Sequence, residues 1–141
     1  MEARLSKALA GAKPIMKSAT RKSVTLWLPF PISTNQIWRK NKRSVYKSDE
    51  YKAWLQDADT AFIQQKRSLP KDPIEGKFAA SIVLSIERFG TQDCDNSKCL
   101  LDAMQRFNLV TNDKNCFSYT VTWGEVEGDG CTISVIELPD A

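Results

Sequence analysis

Apolar residues alternate with polar ones at Val24, Leu26 and Leu28, the period of a half-buried strand. Pro29 and Pro31 stop that strand and stiffen its exit. Tyr51, Leu55, Ala58 and Phe62 then recur at helical spacing with Trp54 alongside, predicting an amphipathic helix over 49–67. Ser48 suits its N-cap, Asp49 and Glu50 its first turn, Lys66 and Arg67 its last, and Pro70 lies beyond. Phe78, Ala80, Ile82, Leu84 and Ile86 give the clearest strand, which Gly90 breaks. Leu100, Ala103, Met104 and Phe107 fall at i, i+3, i+4 and i+7, so 96–107 is expected to be a helix with one buried stripe. Phe117, Tyr119, Val121 and Trp123 alternate as another strand, and Cys131, Ile133 and Val135 begin the last. Glu127-Gly128-Asp129-Gly130 between them has the composition of a hairpin loop. The order is strand, helix, strand, helix, strand, strand. It predicts an α+β single domain, a mixed sheet packed against two helices.

The 141 residues suffice for one domain with a core of its own. No apolar run approaches the roughly 20 residues of a membrane-spanning helix. Histidine is absent, which removes imidazole-based nucleophile activation and imidazole zinc sites. Cys94, Cys99, Cys116 and Cys131 form no C-x-x-C pair and follow no secretory segment, so reduced thiols in the cytoplasm are expected.

Charge changes the picture more than composition does. Residues 1–52 hold 12 Lys and Arg against 3 Asp and Glu, and residues 53–141 hold 8 against 14. Residues 1–22 read as a flexible basic N-terminal extension ahead of a domain over 23–141. Their few acids and several small residues also resemble an organelle transit peptide. Between Ser33 and Arg43, the residues Asn35, Trp38, Arg39, Lys40, Lys42 and Arg43 mix an amide, an aromatic and cations. That mixture suits phosphate contact, hydrogen bonding and base stacking, and equally an exposed basic loop.

The chemistry concentrates at Asp93-Cys94-Asp95-Asn96, with Lys98 just behind, at a strand–helix junction. Asp113 lies just past the far end of that helix. Asp95, Lys98 and Asp102 share the polar side opposite the apolar stripe. An EF-hand is excluded, because Lys98 and Met104 stand where it needs Gly and Glu. A phosphate-binding P-loop is absent. Carboxylates around hard Mg²⁺ ions, hydrolysing a phosphodiester with a lysine to neutralise the phosphate, remain. So does a plain role for these acids in capping a helix and shaping a turn.

Together the motifs resemble the RusA family of Holliday junction resolvases. Leu28-Pro29-Phe30-Pro31-Ile32-Ser33-Thr34-Asn35 is similar to the family's L-P-x-P-x-S-x-N opening, and Asp93-Cys94-Asp95-Asn96 to its D-x-D-N motif. Leu101-Asp102-Ala103-Met104 resembles the segment within the following helix, and Asn112-Asp113 the pair after it. The likeness covers about residues 24–138. It implies a RusA-like fold and a Mg²⁺-dependent, structure-selective endodeoxyribonuclease, with Mn²⁺ as a substitute ion. Such an enzyme nicks opposed strands of a four-way DNA junction as a homodimer during recombination and repair. It places metal at Asp93, Asp95 and Asp113, the catalytic lysine at Lys98, and supporting roles at Asn96 and Asp102. A cytoplasmic, nucleoid-associated location follows for a bacterial or viral protein. Lys98 stands one place nearer the acidic pair than in the family pattern, and the basic extension has no counterpart there. A catalytically decayed protein that still binds junctions is the alternative, and a small interaction protein a third reading.

Overall fold

The computed structural model describes residues 21–33, 38–40, 44–91 and 97–139, with the backbone alone for Trp38 and Arg39. Among the described residues, eight strands and helices follow one another. They are β1 (Ser23–Pro29), β2 (Trp38–Lys40), β3 (Val45–Lys47), α1 (Asp49–Gln65), β4 (Phe78–Ser85), α2 (Lys98–Arg106), β5 (Cys116–Gly124) and β6 (Gly130–Glu137). The expected order is present, with one small hairpin added.

The main sheet runs β1-β6-β4-β5. β6 pairs antiparallel with both β1 and β4, whereas β5 lies parallel to β4, so the sheet is mixed. Val24, Leu26 and Leu28 of β1, Phe78, Ala80, Ile82 and Leu84 of β4, and Cys131, Ile133 and Val135 of β6 are buried on one face. Burial holds the Cys131 thiol well above its ordinary range. The same core takes Tyr51, Trp54, Leu55, Ala58 and Ala61 from α1, and Cys99, Leu100, Ala103 and Met104 from α2. Alternation with period two and stripes with period 3.6 therefore meet in one apolar layer.

Helix α1 starts where Ser48 accepts a 3.1 Å hydrogen bond from the Tyr51 amide. Its far end serves the sheet. Gln65 accepts from the Trp27 amide at 2.9 Å and donates to the Trp27 carbonyl at 2.7 Å, satisfying the outer backbone of edge strand β1. Trp54 donates its indole N–H to the Phe30 carbonyl at 2.9 Å and so anchors the proline-rich exit of β1.

Three sequence expectations change. β5 and β6 are not a hairpin, because β4 lies between them. Residues 125–129 cross two strand spacings, about 10 Å, tied by a 2.8 Å bond from the Trp27 indole to the Glu127 carbonyl. A paired Arg88–Asp129 contact at 2.7 Å holds the same connection. The composition of a turn does not reveal which strand lies between its ends. Ile86 does not extend β4; it is exposed in a 3₁₀ turn, Ile86–Arg88, closed by the Phe89 amide on the Ile86 carbonyl. Finally, part of the basic stretch forms a hairpin, with Trp38 opposite Lys47 and Lys40 opposite Val45.

Candidate active site

Helix α2 carries Lys98 and Asp102, two of the candidate site residues. Its apolar stripe is buried as the spacing requires, which turns Lys98, Asp102 and Gln105 to the other side at i, i+4 and i+7. Lys98 opens the helix, and its ammonium stands 3.6 Å from an Asp102 carboxylate oxygen one turn on. The Lys98 side chain is 61% exposed and that of Asp102 only 36%. Such a pair is worth about 1 kcal/mol at most, so the ammonium is free to leave it for a better anion.

Asp113 begins a 3₁₀ turn, Asp113–Asn115, that follows the helix. Gln105 Oε1 accepts its backbone N–H at 2.9 Å, and Asn112 Oδ1 accepts the Lys114 N–H at 2.9 Å. These two bonds hold the turn against the helix, with the Asp113 carboxyl within hydrogen-bonding reach of that of Asp102. Burial pushes Asp102 above the ordinary carboxylate range, Lys98 opposes the shift, and Asp113 adds to it. Two neighbouring carboxyls, offering oxygen donors only, suit a hard divalent cation. Among the described residues no third acid or thiol completes a metal-binding group.

The approach to the helix is fixed from the sheet. Ser97, fully buried, hydrogen-bonds with the Tyr119 phenol on β5. Its hydroxyl is therefore engaged there and does not cap its own helix. Burial raises the Tyr119 phenol above its ordinary value, and the Ser97 bond lowers it part of the way back. Cys99, beside this corner, is a buried thiol pushed up to about 12 and so unreactive.

The structure brings Lys98, Asp102 and Asp113 together. Asp93, Asp95 and Asn96 lie outside the described residues, as do Asn35, Lys42 and Arg43 and the side chains of Trp38 and Arg39. Lys40 is exposed at the end of β2. Four further candidates escape the sequence reading. Tyr46 and Lys47 stand exposed on β3, facing the basic strand β2. The polar run Asn41-Lys42-Arg43-Ser44 before Val45-Tyr46-Lys47 is the turn-then-strand signal that marks them. Gln105 and Tyr119 leave no local signal, because each acts through a contact made only in the fold.

No helix among the described residues is long and apolar enough to cross a membrane. The curated proteins hold no match to this chain. The family model described as endodeoxyribonuclease RusA matches residues 29–136, most of the chain, over a mixed four-stranded sheet with two helices. Members are hydrolases that cut DNA at branched junctions in recombination, and they depend in general on divalent metal. With the motifs in order and the acids of α2 and its following turn side by side, the chain belongs to the RusA family of endodeoxyribonucleases.

Proposed function

We propose that this protein resolves four-way DNA junctions by paired, Mg²⁺-dependent nicks, acting as a homodimer. The carrying observation is the Asp102–Asp113 carboxyl pair beside Lys98 at the start of α2. Asp93, Asp95 and Asp113 would hold the cation, with Asp102 and Asn96 in support. Mn²⁺ is expected to substitute. A bound Mg²⁺ supplies Lewis acidity at the phosphoryl group and a more acidic attacking water.

The chain's own residues do the rest. Lys98 exchanges its weak Asp102 contact for a phosphate oxygen and offsets the charge that builds there. Gln105 keeps the Asp113 backbone in register with the helix. Tyr119 and Ser97 fix the point at which the acidic segment joins α2. Asn35, Trp38, Arg39, Lys40, Lys42 and Arg43, joined by Tyr46 and Lys47, form the proposed phosphate- and base-contacting strip. The basic extension at 1–22 would add non-specific attraction to the polyanion.

Paired incision needs two sites that face one junction, which a two-fold dimer supplies. A seam for it is the outer edge of β5, the last strand of the sheet, where Phe117 is 70% exposed and Tyr119 is also exposed. We place the enzyme in the cytoplasm, associated with the nucleoid if the protein is bacterial or viral.

The deciding experiment is cleavage of an end-labelled synthetic four-way junction, with and without Mg²⁺, beside linear duplex of the same sequence. Symmetric nicks on the junction alone, lost with Asp93→Asn, are expected. The shortened sequence spacing between Asp95 and Lys98 favours one second reading, a junction-binding protein with a decayed site. Tight binding with no cutting in Mg²⁺ or Mn²⁺ would establish that instead.

A further inference from the structure

A groove of about 800 Å³ opens at the other end of α2, away from the acids. Its floor includes Phe62 of α1 and Phe107 at the end of α2, stacked with centroids 4.4 Å apart and planes within 3°. Ile63, 69% exposed, stands on its lip. Its rim carries Lys66, Arg67 and Lys71, all exposed, and among the described residues no carboxylate lines it. Among the described residues none of these three cations has an ion-pair partner. Phe107 lies nine residues after Lys98, about 13 Å along the helix, and belongs to the buried stripe opposite Asp102 and Gln105, so this surface lies on another side of α2 from the candidate acids.

Backbone hydrogen bonds tie the wall of the groove. α2 ends in a Schellman turn, with the Leu109 amide on the Met104 carbonyl at 2.9 Å and the Asn108 amide on the Gln105 carbonyl at 3.0 Å. Asn108 supplies the left-handed residue at φ 59°. Ile74 then bonds on both sides of Val110, to the Leu109 carbonyl and from the Thr111 amide. The groove is therefore largely preformed, and its volume lies within the ~300–1,000 Å³ of ordinary binding pockets.

We propose that this groove binds an acidic peptide segment of a partner protein, one carrying an aromatic or branched apolar anchor. The stacked phenyl rings and Ile63 would take the anchor, and Lys66, Arg67 and Lys71 the flanking carboxylates. Charge complementarity selects this occupant. A DNA duplex would satisfy the cations with its phosphates but keeps its bases stacked and paired, leaving the apolar floor without a counterpart. A single strand could stack its bases there, and preferential binding of labelled oligo-dT would overturn the proposal. A wholly apolar segment would leave the rim charges unused. The binding of such a peptide brings the nuclease to a site marked by the partner while leaving its cleavage face open.

The test uses the full-length protein and fluorescein-labelled peptides of about eight residues, all Asp and Glu but for one Phe, Leu or Ile at varied positions. Anisotropy is read against matched peptides lacking the apolar residue and against Ser- and Lys-based peptides. Binding is expected only for acidic peptides with an anchor, and it should weaken with salt. Ile63→Ser and the Lys66→Glu, Arg67→Glu double variant are each expected to weaken it about tenfold, near 1.4 kcal/mol. Both change exposed positions, and unchanged affinity for a labelled junction confirms that they fold. Equal binding of anchor-free acidic peptides would overturn the proposal. So would no binding of any acidic peptide, a matching loss of junction affinity in the variants, or a change in oligomeric state caused by them.

Discussion

The carboxyls of Asp102 and Asp113 face each other within hydrogen-bonding reach, one from the middle of α2 and the other from the turn that follows it. Eleven positions apart in the chain, they meet because Gln105, one turn beyond Asp102, captures the Asp113 amide. This pairing is unfavourable in itself. Burial and then Asp113 raise the Asp102 pKa, so the folded protein binds a proton there more readily than the unfolded chain does.

Without a divalent ion, that linkage has a definite sign. Stability is full below the ordinary carboxylate value near 4 and falls as pH rises through the raised value of Asp102. Asp102→Asn removes the penalty and, because the Asp102 side chain is partly exposed and its charge screened, is expected to stabilise the metal-free protein at neutral pH by no more than about 1 kcal/mol. Mg²⁺ should raise the melting temperature of the wild type and do so less in the variant. Thermal melts in chelator and in Mg²⁺ read both effects. A destabilised Asp102→Asn would show instead that the carboxylate's pairing with Lys98 dominates.

Lys98→Ala should reduce junction cleavage by about 10²–10³ while leaving junction affinity within a few-fold. The Asp102 contact it breaks is an exposed pair worth about 1 kcal/mol at most, so folding survives. Single-turnover cleavage beside gel-shift affinity separates the two outcomes.

Tyr119→Phe leaves the buried Ser97 hydroxyl without its partner. The expected cost is about 1–3 kcal/mol in urea denaturation. Adding Ser97→Ala removes the stranded group, so the double variant should lose less than the sum of the two single changes. Additive losses would mean that the two hydroxyls act independently.

The clamp between the helices gives an opposite pH dependence. Arg106 reaches Asp59 of α1 through two bonds, at 2.8 and 3.1 Å, and its hydrogen bond holds the Asp59 pKa below the ordinary value. Its contribution is present above the unfolded carboxylate value and is lost as pH falls through the lowered one. Both groups are partly exposed, so Asp59→Asn should cost only about 0.5–1 kcal/mol at neutral pH. The gap from wild type should close below about pH 4.

Asn108 offers a backbone test. It holds φ 59° at the end of α2. Asn108→Gly should be neutral or slightly stabilising, and Asn108→Val should cost about 1–2 kcal/mol. Chemical denaturation of the two variants measures the difference.

Much of this architecture can be read along the chain. Period-two and period-3.6 patterns depend only on which face of an element is apolar. Val24–Leu28, Phe78–Leu84 and the stripe Leu100-Ala103-Met104-Phe107 therefore declare their buried faces before any packing is known. Ser48 likewise announces the start of α1, because its cap bond reaches only three residues. The motifs from Leu28 to Asp113 also carry the family in their order and spacing. Contacts between distant residues are different, since nothing local reports them. The insertion of β4 between β5 and β6, Gln65 at the edge of β1, Gln105 under Asp113 and Tyr119 against Ser97 all depend on which surfaces meet. Side-chain and edge hydrogen bonds across 8 to 40 positions are chosen by packing, and packing is decided by the whole core at once.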